Sequence, residues 1–273
     1  GINFFDVADI YGNPAGEAEV LLGRALGARR REIILATKFG AQRDHRQPAA
    51  PGGGSAAYIM RAVEDSLRRL GTDYIDLYQH HFPDAGTPPE ETLRALDDLI
   101  LQGKVRHIGC SNYDAAQLQA SLLAARSTAT HSFVTAQNRY SLLFRGIEAE
   151  LAPIAQAQQL GILPYFPLES GLLSGKYRQG QPPPAGSRFD KWGGGGSFVS
   201  GERWATIGEL SAYGEKIGRS LLEIAIGWLA AQPFVSSVIA GATSPGQVHA
   251  NAQALTWEPT AEELARIDSL SAA

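Results

Sequence analysis

Seven short runs of β-branched and apolar residues, each followed by a longer amphipathic stretch, predict a parallel α/β fold. The runs are continuously apolar rather than alternating, as strands covered on both faces are. A βα unit takes roughly 30 residues or more, so seven strands alternating with helices point to a (β/α)8 barrel with one unit unaccounted for. The whole chain, residues 1–273, is expected to be one such domain, without linker or internal repeat.

Strands are expected at Ile2–Phe5, Ile33–Thr37, Tyr74–Gln79, Val105–Cys110, Phe133–Ala136, Ile162–Phe166 and Ser237–Ala240. The chain opens directly in the first of them. Either the N-terminus is truncated by one βα unit or the sheet is open; an open sheet would expose unpaired backbone at two edges, so truncation is expected. Between the strands, Tyr58–Leu70 carries its apolar residues Ile59, Val63, Leu67 and Leu70 on one stripe, with Ser55 as N-cap and Gly71 as terminator. Thr87-Pro88-Pro89-Glu90 reads as a capping box opening a helix that Gly103 ends. Further helices are expected at Glu17–Leu26, Ala115–Ala125, Ile147–Leu160, Arg203–Ile217, Leu221–Ala231, Pro245–Ala254 and Ala261–Leu270. Two stretches rich in glycine and proline, Gln42–Gly54 and Gln179–Gly201, read as surface loops or as covers over a ligand. The glycine run 193–196 lacks the G-x-G-x-x-G spacing of a Rossmann fingerprint.

Composition excludes several classes. With 24 basic against 28 acidic residues, the net charge of −4 gives no basic surface for a phosphate backbone, and nucleic acid is not expected as a partner. The longest mostly apolar run, Leu221–Ala231, includes Glu223 and falls well short of the roughly 20 residues a bilayer requires. The single cysteine, Cys110, can form neither an internal disulfide nor a thiolate cluster, and six histidines without paired spacing make no zinc site. No metal is expected, and the chain reads as cytoplasmic.

The polar residues collect where the strands stop: Asp6, Lys38, His80 and His81, Ser111 and Asn112, Gln137, and Tyr165. In a barrel these positions converge on the carboxyl-end mouth, where barrel enzymes place their chemistry. The set holds an acid, a lysine, histidines and, five residues past Asp6, Tyr11, but no serine or cysteine nucleophile paired with a base. An ordinary phenol, with a pKa of about 10, is a poor acid near neutrality. An ammonium beside it favours the phenolate, and a carboxylate holds the ammonium charged. Asp6, Lys38, Tyr11 and one histidine can therefore relay a proton to a carbonyl becoming an alkoxide. Proton donation supplies about 10²–10⁴ in rate, and the hydride must come from a cofactor.

Six motifs in order, GINFFDVADIYG (1–12), ATKFG (36–40), DLYQHHFPD (76–84), GCSNY (109–113), QNRY (137–140) and GLLSGKY (171–177), resemble the aldo-keto reductases from the first residue to about Leu255. The resemblance implies a (β/α)8 TIM barrel that binds an extended nicotinamide dinucleotide without a Rossmann fold, and it implies that the family's N-terminal hairpin and first βα unit are missing from this sequence. It implies Tyr11 as general acid, Lys38 as the cation that makes the phenol acidic, Asp6 as the partner of that lysine, and His81 as the group that orients the substrate carbonyl. The family's histidine stands two residues before the proline of this strand end, which selects His81 over His80. His80 and His107 keep the reading of packing histidines. Ser111, Asn112 and Gln137 match the groups that bind the carboxamide, and Tyr165 the aromatic stacked on the nicotinamide. Leu168, Gly171, Leu173, Gly241, Thr243, Gln247 and Asn251 match the remaining cofactor positions. Residues 239–248 carry no lysine or arginine for a 2′-phosphate, so NADP is expected by family habit and NAD remains possible. The implied partner is a small carbonyl compound, and the pattern specifies no oligomeric state. A regulatory cofactor-binding barrel, like the β-subunits of potassium channels, and an inactive truncated barrel are the rival readings.

Overall fold

The computed structural model describes residues 1–42, 48–196 and 199–271. The chain forms two compact units, Gly1–Asn138 with Glu150–Gly161, and Arg139–Ala149 with Ile162–Ala273.

The first unit alternates strand and helix: β1 (Phe4–Asp6), α1 (Glu17–Leu26), β2 (Ile34–Phe39), α2 (Ala56–Leu70), β3 (Ile75–His80), α3 (Pro89–Leu101), β4 (Val105–Ser111), α4 (Ala115–Thr128), β5 (Thr135–Gln137) and α5 (Leu151–Ala157). Each strand pairs in parallel with the next, from β1 to β5. Gly161, opening β6 (Gly161–Ile162), donates to the Val134 carbonyl at 3.0 Å. Every residue of β3 is buried, as a strand covered on both faces should be. The predicted stripe Ile59, Val63, Leu67 and Leu70 of α2 is buried, contributing roughly 1.5–3 kcal/mol per side chain. The Ser55 hydroxyl caps α2 by accepting the Tyr58 amide, and Gly71 stops it at φ 65°.

Three expectations for this unit are corrected. The Thr87 hydroxyl makes no capping box; it donates to Asp84 at 2.6 Å, and α3 starts on Pro89 with no side-chain cap. Helix α5 covers Leu151–Ala157 rather than Ile147–Leu160. A start at Ile147 would bury Pro153 in the helix interior, where its ring clashes with the residue four before; starting at Leu151 leaves Pro153 in the first turn. His107 is exposed on β4 and is no packing histidine.

The second unit carries α6 (Arg188–Lys191), α7 (Gly201–Ile217), α8 (Leu221–Ala230), α9 (Pro245–Ala254) and α10 (Ala261–Ser271). Its core includes Ile207 and Leu210 of α7, Ile224, Trp228 and Leu229 of α8, and Ile267 of α10. Ser220 and Glu223 form a reciprocal capping box on α8. No strand forms at Ser237–Ala240, and β6 ends at Ile162 rather than running to Phe166. Ile162 exchanges backbone hydrogen bonds with Phe234 and Ser236, and Ile239 donates to the Pro164 carbonyl at 3.3 Å. Pro164 has no N–H to return, so the ladder lapses there.

Of the two glycine-rich stretches, residues 43–47 and 197–198 lie outside the described residues. In the first, Gln42 donates to the Pro48 carbonyl at 2.9 Å. The second is no bare loop, because it contains α6, whose Phe189 is buried and stacks on Tyr177 at 4.4 Å. Among the described residues no helix is long and apolar enough to cross a membrane.

Candidate active site

The parallel register sets a polar layer on one face of the sheet. Lys38 stands opposite Gln79, Gln79 opposite Gly109, and Gly109 opposite Thr135, two residues before Gln137. A side chain at Gly109 would come within 2.3 Å of the Thr135 hydroxyl and 3.3 Å of Gln79, so the glycine leaves room for the layer.

Asp6, at the end of β1, is the centre of that layer. Its Oδ1 takes the Lys38 ammonium, and its Oδ2 accepts from the Gln79 and Gln137 amides, each at 2.9 Å. Gln137 also donates to Gln79 at 3.1 Å, and Lys38 to the Val7 carbonyl at 3.1 Å. The Lys38 side chain has no exposed surface. Burying two charges costs several kcal/mol per ion unless geometry and further hydrogen bonds compensate, and here two amides and a carbonyl complete the pair.

Tyr11 lies outside this pair and is 40% exposed. Its loop is fastened by the Asp9 amide to the Lys38 carbonyl, 3.1 Å, and by the Ala18 amide to its own carbonyl, 3.1 Å. Gly12 follows at φ 101°, with the Glu17 side chain where a Cβ would stand. The Lys38 ammonium is 5.1 Å from the Tyr11 ring centre, and the His81 ring meets Tyr11 edge-on at 5.8 Å.

The two adjacent histidines face opposite ways. His81 lies two residues past Gln79, on the face of Tyr11, whereas His80 turns away to stack on Phe39 and bond the Tyr113 hydroxyl at 2.8 Å. Burial pushes the His81 imidazole down to about 3, aided by the charge of Lys38, so the ring is neutral near pH 7. Its Nδ1 is buried without a hydrogen-bond partner among the described residues. Burial likewise holds His80 at about 4.

Ser111 donates to the Gln137 carbonyl at 2.9 Å. Asn112, left-handed at φ 61°, donates its side-chain amide to the His81 carbonyl at 3.0 Å and to Ser111 at 3.2 Å. Asn tolerates that backbone better than most residues. Thus Asp6, Tyr11, Lys38, His81, Ser111, Asn112 and Gln137 are brought together in the first unit.

The other expected cofactor residues belong to the second unit. Tyr165 is half-buried at the start of a turn holding Leu168, Gly171 and Leu173, in which Gly171 has φ 99°. A Cβ there would lie 2.8 Å from the Lys176 ammonium. Gly241 and Thr243 are exposed just before the amino end of α9, Gln247 in its first turn accepts from the Thr243 amide at 2.8 Å, and Asn251 is half-buried one turn on.

The sequence of residues 1–272 matches the model of the aldo/keto reductase family. The chain belongs to that family. It is 36% identical, over 99% of its length and 83% of the relative's, to a probable voltage-gated potassium channel subunit beta of Oryza sativa subsp. japonica. It is 33% identical to the L-glyceraldehyde 3-phosphate reductase of Escherichia coli (strain K12), over 98% of this chain and 79% of the relative. An uncharacterized oxidoreductase of Bacillus subtilis (strain 168) is 35% identical over 88% of this chain and 74% of its own.

Two groups in this aldo/keto reductase escaped the sequence reading. Gln79 is buried against Asp6, and the signal for it was a polar residue inside a strand expected to be covered on both faces. Asp9 sits near Glu19, a fully buried carboxylate held by Thr37 and by Arg69, both at 2.6 Å. Burial first, and then Glu19, raises the Asp9 carboxyl to about 7, against the weaker opposite pull of Arg69. One Asp9 oxygen is buried without a partner among the described residues.

Proposed function

We propose that this protein reduces an aldehyde or ketone to the alcohol with a nicotinamide dinucleotide, and that Tyr11 is the general acid. The observation that carries the reading is the accessible phenol set over a buried ammonium–carboxylate pair. The reading brings with it the (β/α)8 barrel that family membership implies. A nicotinamide dinucleotide, if held by Ser111, Asn112, Gln137 and Tyr165, would supply the hydride for the carbonyl carbon. As charge develops on the carbonyl oxygen, the Tyr11 hydroxyl gives up its proton, and the Lys38 ammonium stabilises the phenolate left behind. Asp6 keeps that ammonium in place, and water restores the phenol proton. His81 presents a neutral ring beside Tyr11, suited to orient the carbonyl without adding a competing charge.

The fit to a dinucleotide is supported by the second unit. Tyr165 offers an aromatic face, the left-handed turn at Gly171 lies against the Lys176 ammonium, and the exposed amino end of α9 with Thr243 and Ser244 suits a phosphate. NADP is the cofactor we favour by family habit, with NAD as the alternative. A regulatory cofactor-binding role is the second reading, favoured by the name of the rice relative.

Mixed with NADPH or NADH and a panel of small aldehydes, the protein is expected to lower absorbance at 340 nm. Tyr11→Phe should remove at least 99% of that rate, within the range of general acid catalysis, while dinucleotide affinity stays within about threefold. Tight dinucleotide binding with no turnover on any carbonyl would support the regulatory role. Failure to bind either dinucleotide would remove both.

A further inference from the structure

The second unit buries a carboxylate that the proposed chemistry does not use. Glu169 has no exposed surface. It accepts from both Nε and Nη2 of Arg139, from Nη1 of Arg203 at 3.3 Å and from the Ser141 hydroxyl at 3.1 Å. The arginines come from distant parts of the unit, the segment after β5 and the first turn of α7. The backbone here is unusual. Glu169, Ser170 and Gly171 are left-handed in succession, at φ 44°, 59° and 99°. Two of these are not glycine, and such conformations persist only where the surroundings impose them, commonly at ligand clamps. The turn's own hydrogen bonds run from the Glu169 amide to the Phe166 carbonyl at 2.9 Å, from the Gly171 and Leu173 amides to the Leu168 carbonyl at 2.8 and 3.2 Å, and from the Ser174 hydroxyl to the Gly171 carbonyl at 2.6 Å. From outside the turn, two guanidiniums and a hydroxyl hold the one side chain of Glu169 inward.

We infer that Glu169 is a positioning residue: its buried clamp on Arg139 and Arg203 sets the handedness of the Leu168–Leu173 turn and so its affinity for the dinucleotide. This rests on the proposed function for its ligand, but the clamp acts on the free protein. Glu169 touches no reacting atom in this account. It holds in advance a conformation that binding would otherwise have to impose, and preorganisation of that kind appears in affinity rather than in the chemical step.

The test uses the full chain with Glu169→Gln and Arg203→Met. Three quantities are measured: amide hydrogen exchange at Gly171 and Leu173 without ligand, the dissociation constant of NADPH and NADH by quenching of protein fluorescence, and kcat on an aldehyde at saturating dinucleotide. Glu169→Gln is expected to speed exchange at those two amides at least tenfold and weaken dinucleotide binding at least tenfold, with kcat within threefold. Arg203→Met, which leaves Arg139 and Ser141 on the carboxylate, is expected to give a smaller change in the same two quantities, and it carries the test if Glu169→Gln folds poorly. Unchanged affinity in folded variants overturns the inference while wild-type turnover leaves the functional reading standing. Exchange that rises equally through α7 and α8 also overturns it, because the carboxylate would then be a general prop. Wild-type protein that binds neither dinucleotide overturns both.

Discussion

Lys38 has no contact with water, so its charge must be met inside the protein, and Asp6 meets it with help from two glutamine amides. Removing one partner of a buried pair costs more than the pair itself contributes, because the other charge is stranded. Asp6→Asn should therefore lower stability by about 3–5 kcal/mol, read from the urea midpoint, and abolish turnover. Asp6→Leu combined with Lys38→Met should recover most of the stability and none of the activity; a double variant less stable than Asp6→Asn would contradict this account. The residues of this cluster were largely legible in the sequence, because polar side chains at the ends of apolar strands have few alternatives to a common site. The choice between His80 and His81 was not legible from strand pattern, since both are buried; the structure separates them by face. Nothing local announced Glu169 with Arg139 and Arg203 either, because residues 30 and 34 positions apart meet only through the fold.

Helices were legible where caps and terminators agree with the apolar stripe. Ser55, the buried stripe and Gly71 agree on α2, and the expected bounds Glu17–Leu26 and Pro245–Ala254 match α1 and α9 even though α1 has no side-chain cap and α9 buries only Ala254. They were less legible where a proline changes meaning with position, as Pro153 does in α5 and Pro164 does after β6. Close approach between elements leaves an even fainter trace. Gly23 of α1 faces the last turn of α2, where an added Cβ would lie 2.3 Å from the Leu70 carbonyl oxygen. Gly23→Ala would raise helix propensity by about 1 kcal/mol in isolation, yet it must push α1 off α2. We expect a net loss of about 1–3 kcal/mol in thermal unfolding, and a stabilised variant would show that the two helices part easily.

For the molecule as a whole, three shifted groups shape the dependence of stability on pH between about 5 and 8. Between about pH 5 and 6 the unfolded chain protonates His80 and His81, which the native state, with values of about 4 and 3, does not. Over the same range native Asp9, at about 7, keeps a proton that the unfolded chain has released. Two protons against one leave the unfolded state one ahead, so stability falls with acidification by at most about 1.4 kcal/mol per pH unit. At pH 6.5 the unfolded histidines still hold about one proton between them against somewhat less than one on native Asp9, and the two balance near pH 7, above which stability is nearly flat. Urea midpoints should therefore rise from pH 5 to about 7 and then level off, whereas Asp9→Asn, which keeps the histidine difference without the opposing proton, should rise about twice as steeply between pH 5 and 6. A wild-type slope between pH 5 and 6 equal to that of Asp9→Asn would contradict the assignment to Asp9. Cys110 bears on the same molecule in another way. It is the chain's only thiol, it is fully buried in β4 with its sulfur 3.8 Å from the Thr135 carbonyl, and burial pushes its pKa up. Reactive aldehydes alkylate accessible thiolates, and this fold presents none to them. A protein acting as proposed thereby keeps its single thiol out of harm until the strands that bury it come apart.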